Sequence, residues 1–200
     1  MSSSQLSRKT RTPLAQIIAQ ALLRLAGWKA GPFPDIDRAV IAGGPHTSNW
    51  DGVIALVSRS ALQKDVNIMI KHSLFKGPLG WLLHKLGAMP IERGRAGGVV
   101  TQTVAEFKRR DKLLIAVTPE GTRSNAAEWK LGFYHIAKRA NVPIILALAD
   151  YEKKTFSFPV VIYPGDDMEA DLEEIYKHFS GVTPRHPEKL SAPVRRHYTG

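Results

Sequence analysis

Apolar residues change their spacing several times along this chain, and the changes mark out the elements. Four compact runs read as buried strands: Ala39-Val40-Ile41-Ala42, Val66-Asn67-Ile68-Met69-Ile70, Leu113-Leu114-Ile115-Ala116-Val117, and Pro143 to Ala149. Between them apolar positions recur every three or four residues. That spacing predicts helices over 13–28, 49–62, 99–110, 130–140 and 168–179, with a shorter apolar helix over 79–86. Met89-Pro90-Ile91-Glu92 reads as an edge strand, because its proline cannot donate to a ladder. Residues 156–163 read as a further strand and 71–77 as loop, while Trp50 and Trp81 are expected in the core or a pocket wall. Strands alternate with helices and no repeat is visible. The expected fold is one α/β domain, a mixed and largely parallel sheet flanked by helices. Its expected parts are a flexible basic N-terminus over 1–12, the domain over 13–180, and a surface tail over 181–200, where three prolines break any periodicity.

Composition narrows the chemistry. The chain has 200 residues, 44% of them hydrophobic, enough for one real core. It has no cysteine, which excludes disulfides, thiol nucleophiles and thiolate metal sites and fits a reducing, cytoplasmic compartment. The formal charge of +10 suits nucleic acid, an anionic membrane or an anionic substrate. The basic residues are scattered, with no run of five or six that would make a nucleic-acid arm. No transmembrane span is expected: the longest apolar run, Val142 to Ala149, is far short of about 18 residues. Gln16, Gln20 and Arg24 interrupt the first helix too often for a secretory signal. With Arg8, Lys9, Arg11 and Lys29 nearby, that helix reads either as an interfacial helix on an anionic inner membrane surface or as an ordinary helix packed on the core. Both hold if its apolar face is only partly covered.

His46-Thr47-Ser48-Asn49-Trp50-Asp51 lies at the seam between the first strand and the second helix, after the breakers Gly43, Gly44 and Pro45. Thr47 or Ser48 can cap the helix, and Asp51 in the first turn suits its positive end. Five helical residues turn through about 500°, so two fully helical side chains at this spacing would face apart. His46 must therefore stand just before the helix and fold back on Asp51. A carboxylate holding one imidazole nitrogen leaves the other free as a base. Alone the spacing means little, since with seven histidines it arises by chance in about a third of such chains.

Three further stretches add to it. The strand at 113–117 runs into Thr118-Pro119-Glu120-Gly121-Thr122-Arg123-Ser124, and ligands of open α/β sheets bind beyond such carboxyl ends. In this loop Glu120 can accept from hydroxyls and Arg123 can fork onto a phosphate; otherwise the two simply pair across a tight turn. Gly87-Ala88-Met89-Pro90-Ile91-Glu92-Arg93 places another arginine at a strand end, and Val142-Pro143-Ile144-Ile145 opens a core strand.

These four stretches, in this order over roughly 39–150, resemble the signature blocks of the glycerolipid (lysophosphatidic acid, or 1-acylglycerol-3-phosphate) acyltransferase superfamily. Glu120-Gly121-Thr122-Arg123 is the specific one, since a given tetrapeptide occurs in about one chain in a thousand of this length. The resemblance implies a glycerol-3-phosphate-acyltransferase-like fold and transfer of a fatty acyl group from an acyl-CoA or acyl-ACP thioester to a hydroxyl of a glycerol phosphate or lysophospholipid. It implies His46 as general base, Asp51 as its partner, Arg93, Glu120 and Arg123 on the acceptor's glycerol phosphate, and Gly121 and Thr122 shaping that site. Pro45, Pro90 and Thr118 depart from the usual block residues, which leaves the acceptor headgroup open. No cofactor, metal or nucleic acid is expected, and the protein is expected at the inner membrane surface without spanning it. With no cysteine and no Gly-x-Ser-x-Gly elbow, the nucleophile is expected to be the substrate. One rival is a metal-dependent hydrolase with His46 and Asp51 as ligands and His72 or His84 completing the shell; no His-x-His or Glu-x-x-His spacing supports it. Another is a non-catalytic basic membrane-binding module, which leaves the two specific blocks without a purpose.

Overall fold

The structure, a computed structural model, describes residues 13–78, 80–81, 87–91 and 98–200. The basic N-terminus expected over 1–12 and Arg93 lie outside the described residues, as does most of the helix expected over 79–86.

In chain order the elements are α1 (Pro13–Leu25), β1 (Lys29–Ala30), β2 (Arg38–Gly44), α2 (Asn49–Ala61), β3 (Val66–Lys71), β4 (Ala88–Ile91), α3 (Gly98–Arg109), β5 (Leu113–Val117), α4 (Gly132–Ala140), β6 (Ile144–Asp150), β7 (Thr155–Ser157), β8 (Val161–Ile162), α5 (Met168–Ser180) and the single turn α6 (Ala192–Arg195). One sheet runs in the order β1-β7-β6-β2-β5-β3-β4, with β8 beside β6. The strands from β6 across to β4 are all parallel, and β7 and β8 run antiparallel to β6. The expected α/β class and mixed, largely parallel sheet are what is observed. Pro90 does lie on an edge strand, β4.

The central strands alternate between two cores. Val40, Ala42, Ile144 and Leu146 meet α3, α4 and α5 through Phe107, Phe133, Ile136 and Ile175. Ala39, Ile41, Ile145 and Ala147 face the other way, onto α1 and α2 through Ala19, Leu23 and Ile54. Burial on both faces is why these strands read as unbroken apolar runs.

Three expectations need correction. The strand expected over 156–163 is two pieces, since Pro159 between β7 and β8 has no N–H to offer β6. Residues 181–200 do run over the outside, but Leu190, Ser191 and Val194 are sunk into the fold at 0%, 1% and 0% exposure. Trp50 and Trp81 are not core: both are more than half exposed. Trp50 shares its exposed stripe with Val53 and Leu56, on the side of α2 that neither α1 nor the sheet covers.

α1 packs on the core with part of its apolar face left uncovered. Its narrow inner face buries Ala19 and Leu23, and Gln16 and Gln20 donate to the Ala61 carbonyl at the end of α2 at 3.2 and 3.4 Å. Those bonds satisfy a carbonyl left orphaned at a helix terminus. Leu14, Ile17, Ile18, Leu22 and Leu25 remain exposed on its outer face.

Candidate active site at the carboxyl edge of the sheet

β2 ends at Gly44, where a Cβ would lie 2.5 Å from Phe179 Cε1, so a side chain there would push the strand end away. The chain then turns through Pro45 and His46 into α2. Ser48 caps the helix: its hydroxyl accepts from Trp50 N at 3.2 Å. Asp51, at the third helical position, reaches back so that one oxygen, Oδ2, accepts from Ser48 N at 2.7 Å and Thr47 N at 2.8 Å. This is a capping box with an aspartate in the glutamate's place. It explains the spacing of the pair. The same oxygen lies 3.4 Å from His46 Nδ1, and the Tyr151 hydroxyl donates to the other, Oδ1, at 2.6 Å. With Nδ1 turned to Asp51, Nε2 is the nitrogen left for chemistry. Burial pushes the Asp51 carboxyl up, but the hydrogen bonds from His46, Tyr151 and Ser48 N outweigh it and hold it below its ordinary value.

The second loop approaches the same histidine from behind. Glu120 follows β5 and is only 4% exposed. Its Oε2 accepts from His46 N at 2.5 Å, and its Oε1 accepts from the Ser191 hydroxyl at 3.1 Å. Ser191 Oγ in turn accepts from Trp129 Nε1 at 2.9 Å. The hydroxyl-accepting role expected of Glu120 is thus filled by a serine of its own chain. Burial raises the Glu120 carboxyl, with the bonds from His46 N and Ser191 working against it. Glu120 does not pair with Arg123, which has no carboxylate partner among the described residues. Gly121 turns the loop at φ +65°, and a Cβ on it would lie 2.9 Å from Lys130 Nζ. The left-handed backbone favours glycine there, while the lysine tip is free to move aside.

Two depressions meet at His46. A cavity of about 780 Å³ has mainly apolar walls, among them Ile41, Ala55, Met69, Phe133 and Phe156, with His46, Thr118 and Gly121 at its rim. A polar cleft of about 400 Å³ is lined by His46, Thr118, Gly121, Thr122, Arg123 and Ser124. His46, Thr118 and Gly121 belong to both. Among the described residues, no three His, Asp or Glu side chains converge as a metal site would need; His84 of the hydrolase reading lies outside them.

Tyr151, Ser191, Trp129 and Lys130 are the site neighbours that sequence reasoning missed. Tyr151 and Lys130 had a usable signal, each standing beside a block or loop already singled out. Ser191 had none, because it lies 71 residues from Glu120 in a stretch without periodicity.

Comparison with known proteins gives the chain a family. The chain is 36% identical over 107 residues to the 1-acyl-sn-glycerol-3-phosphate acyltransferase of Escherichia coli, covering 50% of this chain and 42% of that protein. It is 31% identical over 88 residues to human 1-acyl-sn-glycerol-3-phosphate acyltransferase beta, covering 42% of this chain and 32% of that one. The matched stretch is thus under half the length of either relative. The crystal structure of the 1-acyl-sn-glycerophosphate (LPA) acyltransferase PlsC from Thermotoga maritima superposes with a TM-score of 0.57 at 14% identity, over 81% of this chain and 73% of that one, a likeness of fold. Residues 30–147, well over half of the chain and including both loops that converge on His46, match the family described as Acyltransferase. By that match the chain belongs to the acyltransferase family.

Proposed function

We propose that the protein moves a fatty acyl group from a thioester, acyl-CoA or acyl-ACP, to a hydroxyl of a glycerol phosphate or lysophospholipid. The observation that carries this reading is the junction at His46, where an apolar cavity and a polar cleft lined by Arg123 share three lining residues. The cavity has the size of a small-molecule site, about 300–1,000 Å³, and the walls an acyl chain requires. The cleft offers Arg123 and the Thr122 and Ser124 hydroxyls to the acceptor's phosphate, with Arg93 the further arginine expected there.

In this mechanism the acceptor hydroxyl hydrogen-bonds to His46 Nε2. As its oxygen bonds to the thioester carbonyl carbon, the imidazole takes its proton and the carbonyl π electrons pass to oxygen. Asp51 keeps the proton on Nδ1 and stabilises the imidazolium. The oxyanion is met by donors beside Gly121. When the carbonyl reforms, the C–S bond breaks and the sulfur leaves with the proton from Nε2. The products are the ester and a free thiol. Glu120 acts behind the site, holding His46 by its backbone amide.

The +10 charge matches the anionic donors, acceptors and lipid headgroups this reaction involves. The exposed apolar face of α1 suits a helix lying on an anionic membrane at its cytoplasmic surface. No described helix is long and apolar enough to cross one.

Thiol release tests the proposal. Purified protein is given palmitoyl-CoA, or an acyl-ACP, with glycerol 3-phosphate, lysophosphatidate and other lysolipids, with and without EDTA, beside His46→Ala. The expected result is acceptor-dependent release that survives EDTA and falls by about 10²–10⁴-fold in the variant. Release without any acceptor requirement, release lost with EDTA, or equal activity in His46→Ala would overturn it.

A further inference from the structure

The side chains around Asp51 leave one donor without a part in the mechanism above. We infer that Tyr151 is a positioning residue for the His46–Asp51 pair, and that the C-terminal segment holds it in place. The inference rests on the acyl-transfer reading of the same site.

Asp51 Oδ2 is crowded: Thr47 N and Ser48 N bind it, and His46 Nδ1 faces it at 3.4 Å. Among the described residues Oδ1 has one hydrogen-bond partner, the Tyr151 hydroxyl, at 2.6 Å. With both oxygens engaged, the carboxylate cannot rotate about its last bond, and the oxygen facing the imidazole is fixed. Without the tyrosine, only one end of the carboxylate is tied. Tyr151 stays a donor throughout the working range, because burial and the Asp51 carboxylate raise its hydroxyl far above ordinary tyrosine.

Tyr151 is itself held on three sides. It is the first residue past β6, and its backbone N–H donates to Thr183 O at 2.8 Å. Its ring meets Trp28 edge to face, centroids 5.0 Å apart. The Arg185 guanidinium lies 5.9 Å from its ring and 5.6 Å from that of Trp50. Beside Arg185, His186 N donates to the Thr47 hydroxyl at 3.3 Å. Residues 183–186 thus touch the pair's support from both ends: Tyr151, which binds Asp51, and Thr47, which neighbours His46.

Tyr151→Phe keeps the ring and its packing and removes only the hydroxyl. Steady-state kinetics and long-range ¹⁵N NMR of the His46 imidazole read the effect. The expected result is kcat lower by about 10–100-fold, the size of one charge-assisted hydrogen bond, with KM for both substrates within about twofold. The His46 signals should move from the Nδ1–H form toward the Nε2–H form that free histidine prefers. Unchanged kcat, unmoved His46 signals, or a rise in KM alone would overturn the inference, the last by making Tyr151 a substrate contact. If the wild type shows no turnover with any acceptor, the functional reading fails and the NMR arm still decides the role of Tyr151.

Discussion

Asp51 and Glu120 both reach His46, one through its imidazole and the other through its backbone amide. One oxygen of Asp51 is held locally: its cap partners lie three and four residues away, and helix formation by itself brings them together. Glu120 is held from afar, by His46 at 74 residues' separation and Ser191 at 71. Burial raises both carboxyls, but their net shifts are opposite. Asp51 has enough donors to overcome it and sits below its ordinary value, whereas Glu120 does not and sits above. One carboxyl is set to stay charged beside an imidazole, and the other pins a loop. The motif that looks catalytic in sequence is also a helix cap, and the one that looks substrate-binding has its acid turned into the protein.

Asp51→Asn strains this contrast most. Asparagine keeps the size and one acceptor oxygen. It cannot serve two amides, an imidazole and a tyrosine hydroxyl together, so the Nδ1–H tautomer loses its support. kcat should fall by about 10²–10⁴-fold in the thiol-release assay, a loss on the scale of the general base itself. A loss under tenfold would mean that Asp51 is chiefly a cap. Arg123→Ala comes next. Loss of an arginine that lines the polar cleft, and that has no carboxylate partner among the described residues, should raise KM for a phosphorylated acceptor about 10–100-fold, the equivalent of one charged hydrogen bond of about 1.5–3 kcal/mol. KM for the acyl donor should not move. If the donor's KM rises instead, the cleft holds the CoA phosphates.

Much of the fold was legible because the parallel strands are buried on both faces. β5 spans the very residues its apolar run marks, β2 begins one residue before its run and ends two after it, and β6 is shifted one residue along from its run. The His46–Asp51 contact was legible for a different reason: its geometry is fixed within six residues by a helix start. What escaped the sequence has neither property. β1 is two residues long and carries no period. The anchors Leu190, Ser191 and Val194 fill gaps singly, so no pattern surrounds them. Trp50 misled because helical spacing reports that a stripe is apolar but not whether anything covers it. Tyr151 lies 100 residues from Asp51, and only the sheet brings β6 beside the start of α2.

Opposite shifts predict opposite slopes of stability with pH. Asp51 is lower in the folded chain, so its contribution is present above its ordinary value of 3.8 and is lost as pH falls through the folded value beneath it. Glu120 is higher in the folded chain, so its contribution is full below 4.5 and is lost as pH rises through the folded value above it. Melting temperatures across this range should show Asp51→Asn flattening the acid-side loss and Glu120→Gln flattening the decline on the other side. Identical slopes in the two variants would erase the distinction between the acids.

The smallest expected effect probes the far end of the brace. Ser191→Ala leaves Glu120 Oε1 without its donor and Trp129 Nε1 without its acceptor, both in the interior. Unsatisfied groups of this kind cost about 1–3 kcal/mol, and each kcal/mol is worth about 2–4 °C of Tm in a chain this long. Glu120 still has His46 N, so the loop should loosen without letting go. The expected result is a Tm lower by several degrees and a kcat lower by only a few fold, with KM for both substrates unchanged. A normal Tm would mean that water replaces the serine and the C-terminal segment is no part of the brace. A kcat loss as deep as that of Asp51→Asn would mean that the distant carboxylate, and not the local one, sets the position of His46.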